Sequence, residues 1–322
     1  MPSQLIYSEA LGRQVRTGPA AALGNPTSEL VLEATVAGRV DEAHEYLRYL
    51  IEETERVYGI FTTWLRELRT YAQETLADPD AHYARLTEEL GCEPPLVERA
   101  QISDATLAAC RAAIASADRG SLNERLGEVR EQLRAIHDSQ AEWCWALLTL
   151  LRDELGEDRM DEVFRRTQEP WVTARYEALG ALTPQQIFEL TIEGMRGHLT
   201  GPNRVGQISV DEDEEKFVLS FDPCGSGGRM RRGDPSRGQL PAAERPDVFG
   251  VTTAAHDWSW GEADVCLYCA HCAVVNEILP IERLGAPMRV TDYPKHADGQ
   301  CRWTIYKSRE SVPQEAYRRV GK

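Results

Sequence analysis

The pattern of apolar and polar residues divides the chain into two unlike parts. Between residues 28 and 200, apolar side chains recur at steps of three, four and seven, which is the spacing of one face of an α-helix. Gly91 comes shortly before a proline pair, "SLNE" at 121–124 is a capping-box pattern, and Thr183 precedes Pro184. Because these are stop and start signals of helices, the segment is predicted to contain five to seven helices packed in a bundle.

After Gly201 the apolar period changes from that of a helix to that of a strand. "VGQISVDEDEEKFVLSFD" has two strand-like runs around a charged turn, and "APMRVTDY" and "CRWTIYK" predict two further strands. One helix is predicted between the two pairs of strands, from about residue 270 to 279. The predicted fold is α+β: an irregular arm over 1–27, a helical bundle domain over 28–200, and a small antiparallel-sheet domain over 201–322 with a cysteine-rich metal knuckle.

The composition and the N-terminal sequence also predict the compartment in which the protein is found. No run in the 322 residues approaches the roughly 18 uninterrupted apolar residues of a membrane span. The N-terminal sequence lacks a basic start followed by an apolar run, so no secretion signal is predicted. We therefore expect a cytoplasmic protein that is not bound to a membrane. In a reducing compartment the eight cysteines are expected to be thiols or metal ligands rather than disulfides.

The net charge argues against one class of partner, and the distribution of charge indicates that the chemistry lies in the second half of the chain. The net charge of −16 argues against binding to nucleic acid, whose phosphates require a basic face. Residues 201–322 carry 16 Lys and Arg against 18 Asp and Glu, whereas the first 200 residues carry 20 against 34. The nearly neutral second half holds five of the eight cysteines. The chemistry is therefore expected there, with a small molecule as the partner.

The candidate chemistry begins with "CLYCAHC" near the C-terminus. Cys266, Cys269 and Cys272 form two overlapping C-x-x-C pairs, and this spacing lets two sulfurs turn toward one metal ion. A fourth thiol, Cys224, stands in "FDPCGSGG", where glycine amides can support a thiolate. Buried cysteines that act as small apolar side chains are the alternative, and that alternative accounts for one or two of these positions but not for three.

Two metal centres fit this spacing. Zinc is expected at Cys224, Cys269 and Cys272 with either Cys266 or His256 as the fourth ligand. A [4Fe-4S] cluster is the alternative, because the C-x2-C-x2-C run resembles the start of a bacterial ferredoxin motif. The fourth cysteine and proline of that motif do not follow here, so Cys224 or Cys301 would have to supply the last ligand of a cluster. Zinc is the preferred prediction.

Charged side chains near the thiols are candidates for substrate binding and proton transfer. Arg229 and Arg231 follow "CGSGG" and could hold a carboxylate or phosphate, or could belong to a solvated basic loop. His256, in a loop with two tryptophans, is a candidate general acid or base, or else a packing residue. Glu277, five residues after Cys272, is a candidate base, or else a surface carboxylate on a helix.

Other histidines are expected to be structural. His44 and His137 lie on apolar helical stripes without the Glu-x-x-His pairs of a di-iron bundle, so buried, hydrogen-bonded imidazoles are predicted. His198 ends the helical half and either caps a helix or faces the second domain. None of the seven histidines is followed two residues later by Glu, and this excludes the pattern of the zinc nucleobase deaminases.

The sequences "FDPCGSGGRMRR", "CLYCAHCAVVNEILP" and "CRWTIYK" resemble the C-terminal halves of the L-2-amino-thiazoline-4-carboxylic acid hydrolase-like group. The resemblance covers about the last 125 residues and rests on cysteine placement and strand order. It implies hydrolytic opening of a C–N bond in a small carboxylated substrate, with Cys224, Cys269 and Cys272 as the matching positions. The long acidic helical half and the third knuckle cysteine depart from the group.

Three functions follow from these observations. The first is a zinc-dependent hydrolase, in which an open coordination position supplies hydroxide, His256 or Glu277 handles the proton, and Arg229 or Arg231 holds the substrate. The second is a structural zinc knuckle in a binding or assembly protein. The third is a [4Fe-4S] redox protein. The helical half either lines a pocket or forms a dimer face, so both a monomer and a homo-oligomer are compatible with the sequence.

Overall fold

The computed structural model describes residues 4–234 and 237–322, without the side chains of residues 174 and 177. The molecule has a helical region followed by a small antiparallel sheet, as the mixed pattern predicts. The helices of the first region are α1 (Ala20–Leu23), α2 (Thr27–Val36), α3 (Val40–Thr75), α4 (Pro79–Leu90), α5 (Asp104–Ala115), α6 (Arg119–Leu155), α7 (Met160–Gly180) and α8 (Pro184–Gly197).

Polar residues begin several of these helices. Thr183 and Gln186 form the capping box that starts α8, where Pro184 occupies the first turn, so this predicted start is confirmed. The predicted capping box at 121–124 is wrong. Asp118 caps α6 instead and accepts a hydrogen bond from the Ser121 amide at 3.0 Å. Asp competes well with Ser as an N-cap, and here it comes one turn earlier.

The first 27 residues contain more regular structure than an irregular arm. Strands β1 (Leu5–Ser8) and β2 (Arg13–Arg16) form an antiparallel hairpin that precedes α1. The Arg16 side chain is fully buried and donates hydrogen bonds to the carbonyls of Asn25 and Ala22, each at 2.7 Å. These bonds fix the hairpin to the start of the helical region.

Four strands form the sheet of the second region. They are β3 (Ser209–Glu212), β4 (Lys216–Phe221), β5 (Val290–Asp292) and β6 (Cys301–Tyr306), in the order β3-β4-β6-β5 with antiparallel neighbours. All four strand predictions are confirmed. In the ladder of β4 and β6, Phe217 lies opposite Ile305 and Phe221 lies opposite Cys301. The buried Phe217 and Phe221 side chains of β4 pack toward α8.

The second region also contains helices, which follow or connect its strands. Helix α9 (Gly227–Arg232) follows β4, and α10 (Leu267–Cys272) continues through a π-helical segment over Ala273–Ile278 into α11 (Leu279–Leu284). The predicted helix over 270–279 is therefore the middle of a longer one. A short helix α12 (Gln314–Arg318) ends the chain.

One apolar core joins the two regions. Its buried side chains include Trp64 of α3, Trp145 of α6 and Phe164 of α7 together with Tyr268 and Val274 of the second region. The predicted division into domains at residue 200 stays a prediction, and the core crosses that position. Among the described helices, none is both long enough and apolar enough to cross a membrane.

Candidate functional site

Four cysteine thiols lie on the wall of one cavity between α10 and the four-stranded sheet. The cavity has a volume of about 50 Å³, and its wall includes Cys224, Cys269, Cys272 and Cys301. All four are free thiols and all four are half-buried. A cavity of this size has room for a few atoms or water molecules. Since only two of the thiols are near each other in sequence, the fold assembles this set.

Three segments bring the thiols together. Cys224 stands in the turn that leads from β4 to α9, and Cys301 begins β6. Because Phe221 pairs with Cys301 in the β4–β6 ladder, both of these thiols are at the same end of the sheet. Cys269 and Cys272 are three residues apart on α10, so their side chains share one face of that helix.

Cys266 has a different position from the other cysteines of the "CLYCAHC" run. It is the N-cap of α10, it is only 1% exposed, and it is not on the cavity wall. Its Sγ accepts a hydrogen bond from the Cys269 amide at 3.3 Å. An acceptor at the N-cap satisfies an amide that the first helical turn leaves free. The structure thus gives Cys266 a capping position, and its role as a metal ligand stays a prediction.

The thiols differ in electrostatics. Burial raises the pKa of Cys272 and of Cys301 well above the usual thiol range, and neighbouring thiols raise both further. Hydrogen bonding with the Cys266 side chain lowers the pKa of Cys269, although burial acts in the opposite direction. The guanidinium of Arg231 also lowers the pKa of Cys269, because a nearby cation favours the thiolate.

Arg231 supplies a positive charge to the cavity wall. Its Cζ lies 4.6 Å from the centroid of the Tyr293 ring, and its Nη2 donates a hydrogen bond to the Lys295 carbonyl at 3.1 Å. The wall also contains the Trp303 indole, whose buried Nε1 has no hydrogen-bond partner among the described residues. The cavity wall therefore carries the Arg231 guanidinium in addition to its four thiols.

Two glycines allow the backbone of α9 to approach the thiols. A Cβ at Gly227 would stand 2.4 Å from Cys269 Sγ and 3.2 Å from Cδ1 of Tyr268. Next to it, a Cβ at Gly228 would meet Cys224 Cβ at 3.3 Å. Only a residue without a side chain fits at Gly227, so the start of α9 lies against the sulfur. The "CGSGG" sequence thus acts through close approach, rather than through a phosphate-binding loop.

A buried chain of polar side chains ends at the same cavity. His137 of α6 is fully buried, as predicted, and its Nδ1 lies 2.8 Å from Asp138 Oδ1. Its Nε2 lies 3.1 Å from Nδ1 of His198, and His198 is on the cavity wall. The rings of both histidines pack edge-to-face against Phe61. His198 therefore faces the second region of the molecule, one of the two placements expected from its position.

Arg229, the other predicted substrate-binding arginine, lies away from the cavity. Its side chain is 3% exposed and its Nη1 donates to Glu142 at 3.0 Å and to Gln239 at 2.7 Å, while its Nε lies 3.6 Å from Asp138. Through these contacts Arg229 of α9 joins that helix to Asp138 and Glu142 of α6. Its predicted role in binding a substrate stays a prediction.

The two predicted acid–base residues also lie outside the thiol cavity. His256 stacks on Trp258 with the ring centroids 4.5 Å apart, and its Nε2 lies 2.8 Å from Glu157. This imidazole borders a separate surface cavity of about 360 Å³. Glu277 is fully buried and accepts hydrogen bonds from Trp260 Nε1 at 2.8 Å and from Arg319. Burial raises the pKa of Glu277, and Arg319 opposes that shift.

The donor groups of the cavity do not converge on one point. Within residues 4–234 and 237–322, no three His, Cys, Asp or Glu side chains are arranged to hold a single metal ion. The four thiols surround a volume instead, so the predicted metal knuckle stays a prediction. In comparisons with protein-family models, with curated proteins and with solved structures, no match to this chain was found.

Proposed function

We propose that the four thiols hold an iron–sulfur cluster and that the protein carries electrons through it. The observation that supports this proposal is that Cys224, Cys269, Cys272 and Cys301 line one cavity. Cysteine thiolates are the usual ligands of [2Fe-2S] and [4Fe-4S] clusters, and four of them complete such a site. Arg231 on the same wall would offset part of the negative charge of a thiolate-bound cluster.

The arrangement of the donors favours a cluster over a single ion. Four ligands of one zinc ion must meet at a common point, with sulfur at about 2.3 Å from the metal. In a [4Fe-4S] cluster each thiolate binds a different iron atom, so the sulfurs have to surround a volume rather than converge. The described side chains contain no converging group of three, and four thiols surround a cavity.

A zinc-dependent hydrolase is the second candidate, and Arg231 favours it. A guanidinium beside the thiols is suited to the carboxylate of a small C–N-bonded substrate. Three thiolates would then hold the zinc, and a bound water would occupy the open position. Neither His256 nor Glu277 is on the cavity wall, so the proton would have to be handled by another group, such as His198.

The test is metal and sulfide analysis with an absorption spectrum, on protein purified without air. Iron and acid-labile sulfide with a broad visible band support the cluster. Zinc at about one ion per chain without visible colour contradicts the cluster and is expected of a zinc site, whether hydrolytic or structural. Protein without either metal, even after reconstitution with iron and sulfide, would remove the basis of both proposals.

Serine variants then separate the two ligand sets. The cluster proposal expects Cys301→Ser to lose the metal and Cys266→Ser to keep it, because only Cys301 is on the cavity wall. A closed zinc site of Cys224, Cys266, Cys269 and Cys272 expects the reverse. Cys266→Ser is a well-matched control, since a serine hydroxyl also accepts the capping hydrogen bond. Cys92→Ser, at an exposed thiol, should leave the metal content unchanged.

A further inference from the structure

The two cysteines at the start of α10 interact with each other. Cys266 Sγ accepts a hydrogen bond from the Cys269 amide at 3.3 Å, and hydrogen bonding also joins the two side chains. Other thiols have partners of a different kind, which are Ser139 for Cys92, Ser226 for Cys224 and His271 for Cys272. The start of α10 is therefore the place where one thiol faces a second thiol.

The spacing of this pair is compatible with a covalent bond between the sulfurs. Cys266 and Cys269 form a C-x-x-C unit, the spacing of the dithiol motif in disulfide oxidoreductases. Leu267 and Tyr268 between them are helical, so the two Cα atoms are about 5 Å apart. A disulfide accepts Cα separations of about 4.4–6.8 Å. Rotation of the two side chains is therefore sufficient to form the bond.

Hydrogen bonds to other segments hold the backbone of this unit. The Cys266 amide donates to the Tyr293 hydroxyl at 3.1 Å, and the Leu267 amide donates to the Gly250 carbonyl at 3.3 Å. These partners lie before α10 and after β5, so they are independent of the helix itself. The two cysteines are thus kept at this separation by the surrounding fold.

The two thiols differ in exposure, and this difference sets the order in which they react. Cys269 is half-buried and on the wall of the thiol cavity, whereas Cys266 is 1% exposed and is not on that wall. The cavity volume of about 50 Å³ has room for a molecule of a few atoms. We propose that Cys266 and Cys269 are a redox-active pair, in which a small hydroperoxide oxidises Cys269 and Cys266 then closes a disulfide.

The reaction takes two steps. The Cys269 thiolate, beside the Arg231 cation of the cavity wall, attacks one oxygen of the peroxide. The O–O bond breaks, and the product is a sulfenic acid on Cys269 with hydroxide as the leaving group. Cys266 sulfur then attacks Cys269 sulfur, the S–O bond breaks, and the second hydroxide takes the Cys266 proton. In total two thiols are oxidised to a disulfide and one peroxide is reduced to water.

The disulfide changes the set of free thiols in the cavity. Once Cys269 is bonded to Cys266, the free thiols left on the wall are Cys224, Cys272 and Cys301. A cluster that needs four thiolates cannot then assemble. This consequence rests on the proposed function, whereas the formation of the disulfide does not, because Cys266 is outside the cavity wall.

The first test is titration of the full chain with hydrogen peroxide. The protein is treated with a chelator, reduced, freed of reductant without air, and oxidised with stepwise additions of peroxide. Free thiols, counted after denaturation, should fall by two from the initial eight, and dithiothreitol should restore them. Differential alkylation with mass spectrometry should place the bond between Cys266 and Cys269 and leave Cys272 free. A bond between Cys269 and Cys272, or no bond at Cys266, would overturn the proposal.

Serine variants separate a redox role of Cys266 from its capping role. Cys266→Ser keeps an acceptor at the N-cap but cannot form the disulfide. Oxidation should therefore stop at the sulfenic acid of Cys269, which dimedone traps, and trapping should be much weaker in the wild type. Cys272→Ser and Cys92→Ser should still lose two thiols. Equal trapping in Cys266→Ser and the wild type would contradict the proposal, and the mapping of the wild-type disulfide decides alone if Cys266→Ser does not fold.

The outcomes distinguish this pair from the proposed function. If the disulfide forms in a protein that never binds iron, the pair is supported and the cluster is not. If the reduced protein binds iron but no disulfide forms after the iron is removed, the cluster stands and the redox-active pair is overturned. If both are correct, reconstitution with iron and sulfide should fail in the oxidised protein and return after reduction with dithiothreitol.

Discussion

Two regions of this molecule bury polar side chains, and they do so differently. The first is the ionic cluster of Arg16, Glu53, Glu193 and Arg196 between the N-terminal hairpin, α3 and α8. Here Arg196 Nε lies 2.7 Å from Glu53 Oε1, and each side chain is 1% exposed. Glu193 accepts hydrogen bonds from Arg13 at 2.8 Å and from Tyr49 at 2.5 Å. In this cluster the charged side chains are one another's partners, and no bound ligand is needed to pair them.

The thiol cavity is the contrasting region. Its four thiols line a cavity without a carboxylate on its wall, and the buried Trp303 Nε1 has no hydrogen-bond partner among the described residues. Burying a polar group without a hydrogen-bond partner costs folding free energy, so such a group is expected where a bound ligand supplies the partner. The ionic cluster is therefore expected to act through folding stability, and the thiol cavity through what it binds.

The largest effect is expected in the ionic cluster. Glu53→Ala removes the carboxylate that Arg196 contacts at 2.7 Å. Arg196 and Arg16 then stay buried with backbone carbonyls and the more distant Glu193 as their partners. Breaking a buried pair in this way costs about 3–5 kcal/mol of unfolding free energy. Urea titration measures the loss. Glu52→Ala is the matched control, since the Glu52 side chain is 37% exposed and the change should cost about 0.5 kcal/mol or less. Equal losses in the two variants would contradict the structural role of the cluster.

The next-largest effect is the pH dependence of the unfolding free energy that buried His137 causes. Burial lowers the pKa of His137 to about 4, below the ordinary histidine value of 6.5. The folded protein therefore binds this proton less tightly than the unfolded chain does. The contribution of His137 to the free energy of unfolding is therefore fully present above pH 6.5. It is lost as the pH falls from 6.5 toward 4, and this loss is roughly 3 kcal/mol at most.

Comparison with His137→Gln isolates this contribution, because the other titrating groups are common to both proteins. The free energy of unfolding, measured by urea at pH 7 and pH 4.5, should fall less in the variant than in the wild type. His82→Gln, whose side chain is 25% exposed, should fall as much as the wild type. An identical pH dependence in all three proteins would show that His137 is not held neutral by burial.

The helices and strands were largely predictable, because they depend on local periodicity and capping. The stop at Gly91 and the start at Thr183 correspond to the end of α4 and the start of α8. The N-terminal hairpin was missed, since four-residue strands carry little alternation. Its anchor is Arg16, whose burial depends on carbonyls supplied by the later turn.

The thiol cavity was predictable only in part. Cys269 and Cys272 share a helical face, so their spacing revealed their proximity. Cys266 is one turn earlier at the N-cap, where its Sγ accepts from the Cys269 amide and is not part of the cavity wall. Cys301 depends on the pairing of β4 with β6, which no local pattern gives. A signal was present, however: Cys301 opens a predicted strand, and Cys224 closely follows another.

The close approach of α9 to the thiols is tested by a smaller change. Gly227→Ala would place a Cβ 2.4 Å from Cys269 Sγ, and overpacking of this kind costs about 1–3 kcal/mol. Bound iron should fall as well, because the sulfur must move. Gly228→Ala is the matched control one residue later, where the nearest contact is 3.3 Å. If Gly227→Ala and Gly228→Ala retain equal stability and equal iron, the glycine is not required for the site.

The smallest effect should separate the two kinds of buried donor. Trp303→Phe removes an indole N–H that has no partner among the described residues, so the metal-free protein should lose almost no stability. Trp171→Phe removes an N–H that donates to the Thr167 carbonyl at 3.0 Å, and should cost about 0.5–1.5 kcal/mol. With iron bound the order should change, because Trp303 Nε1 can then donate to the cluster or its thiolates. Release of iron to a chelator should be faster in Trp303→Phe and unchanged in Trp171→Phe, whereas equal release rates would mean that the Trp303 indole does not contact what the cavity binds.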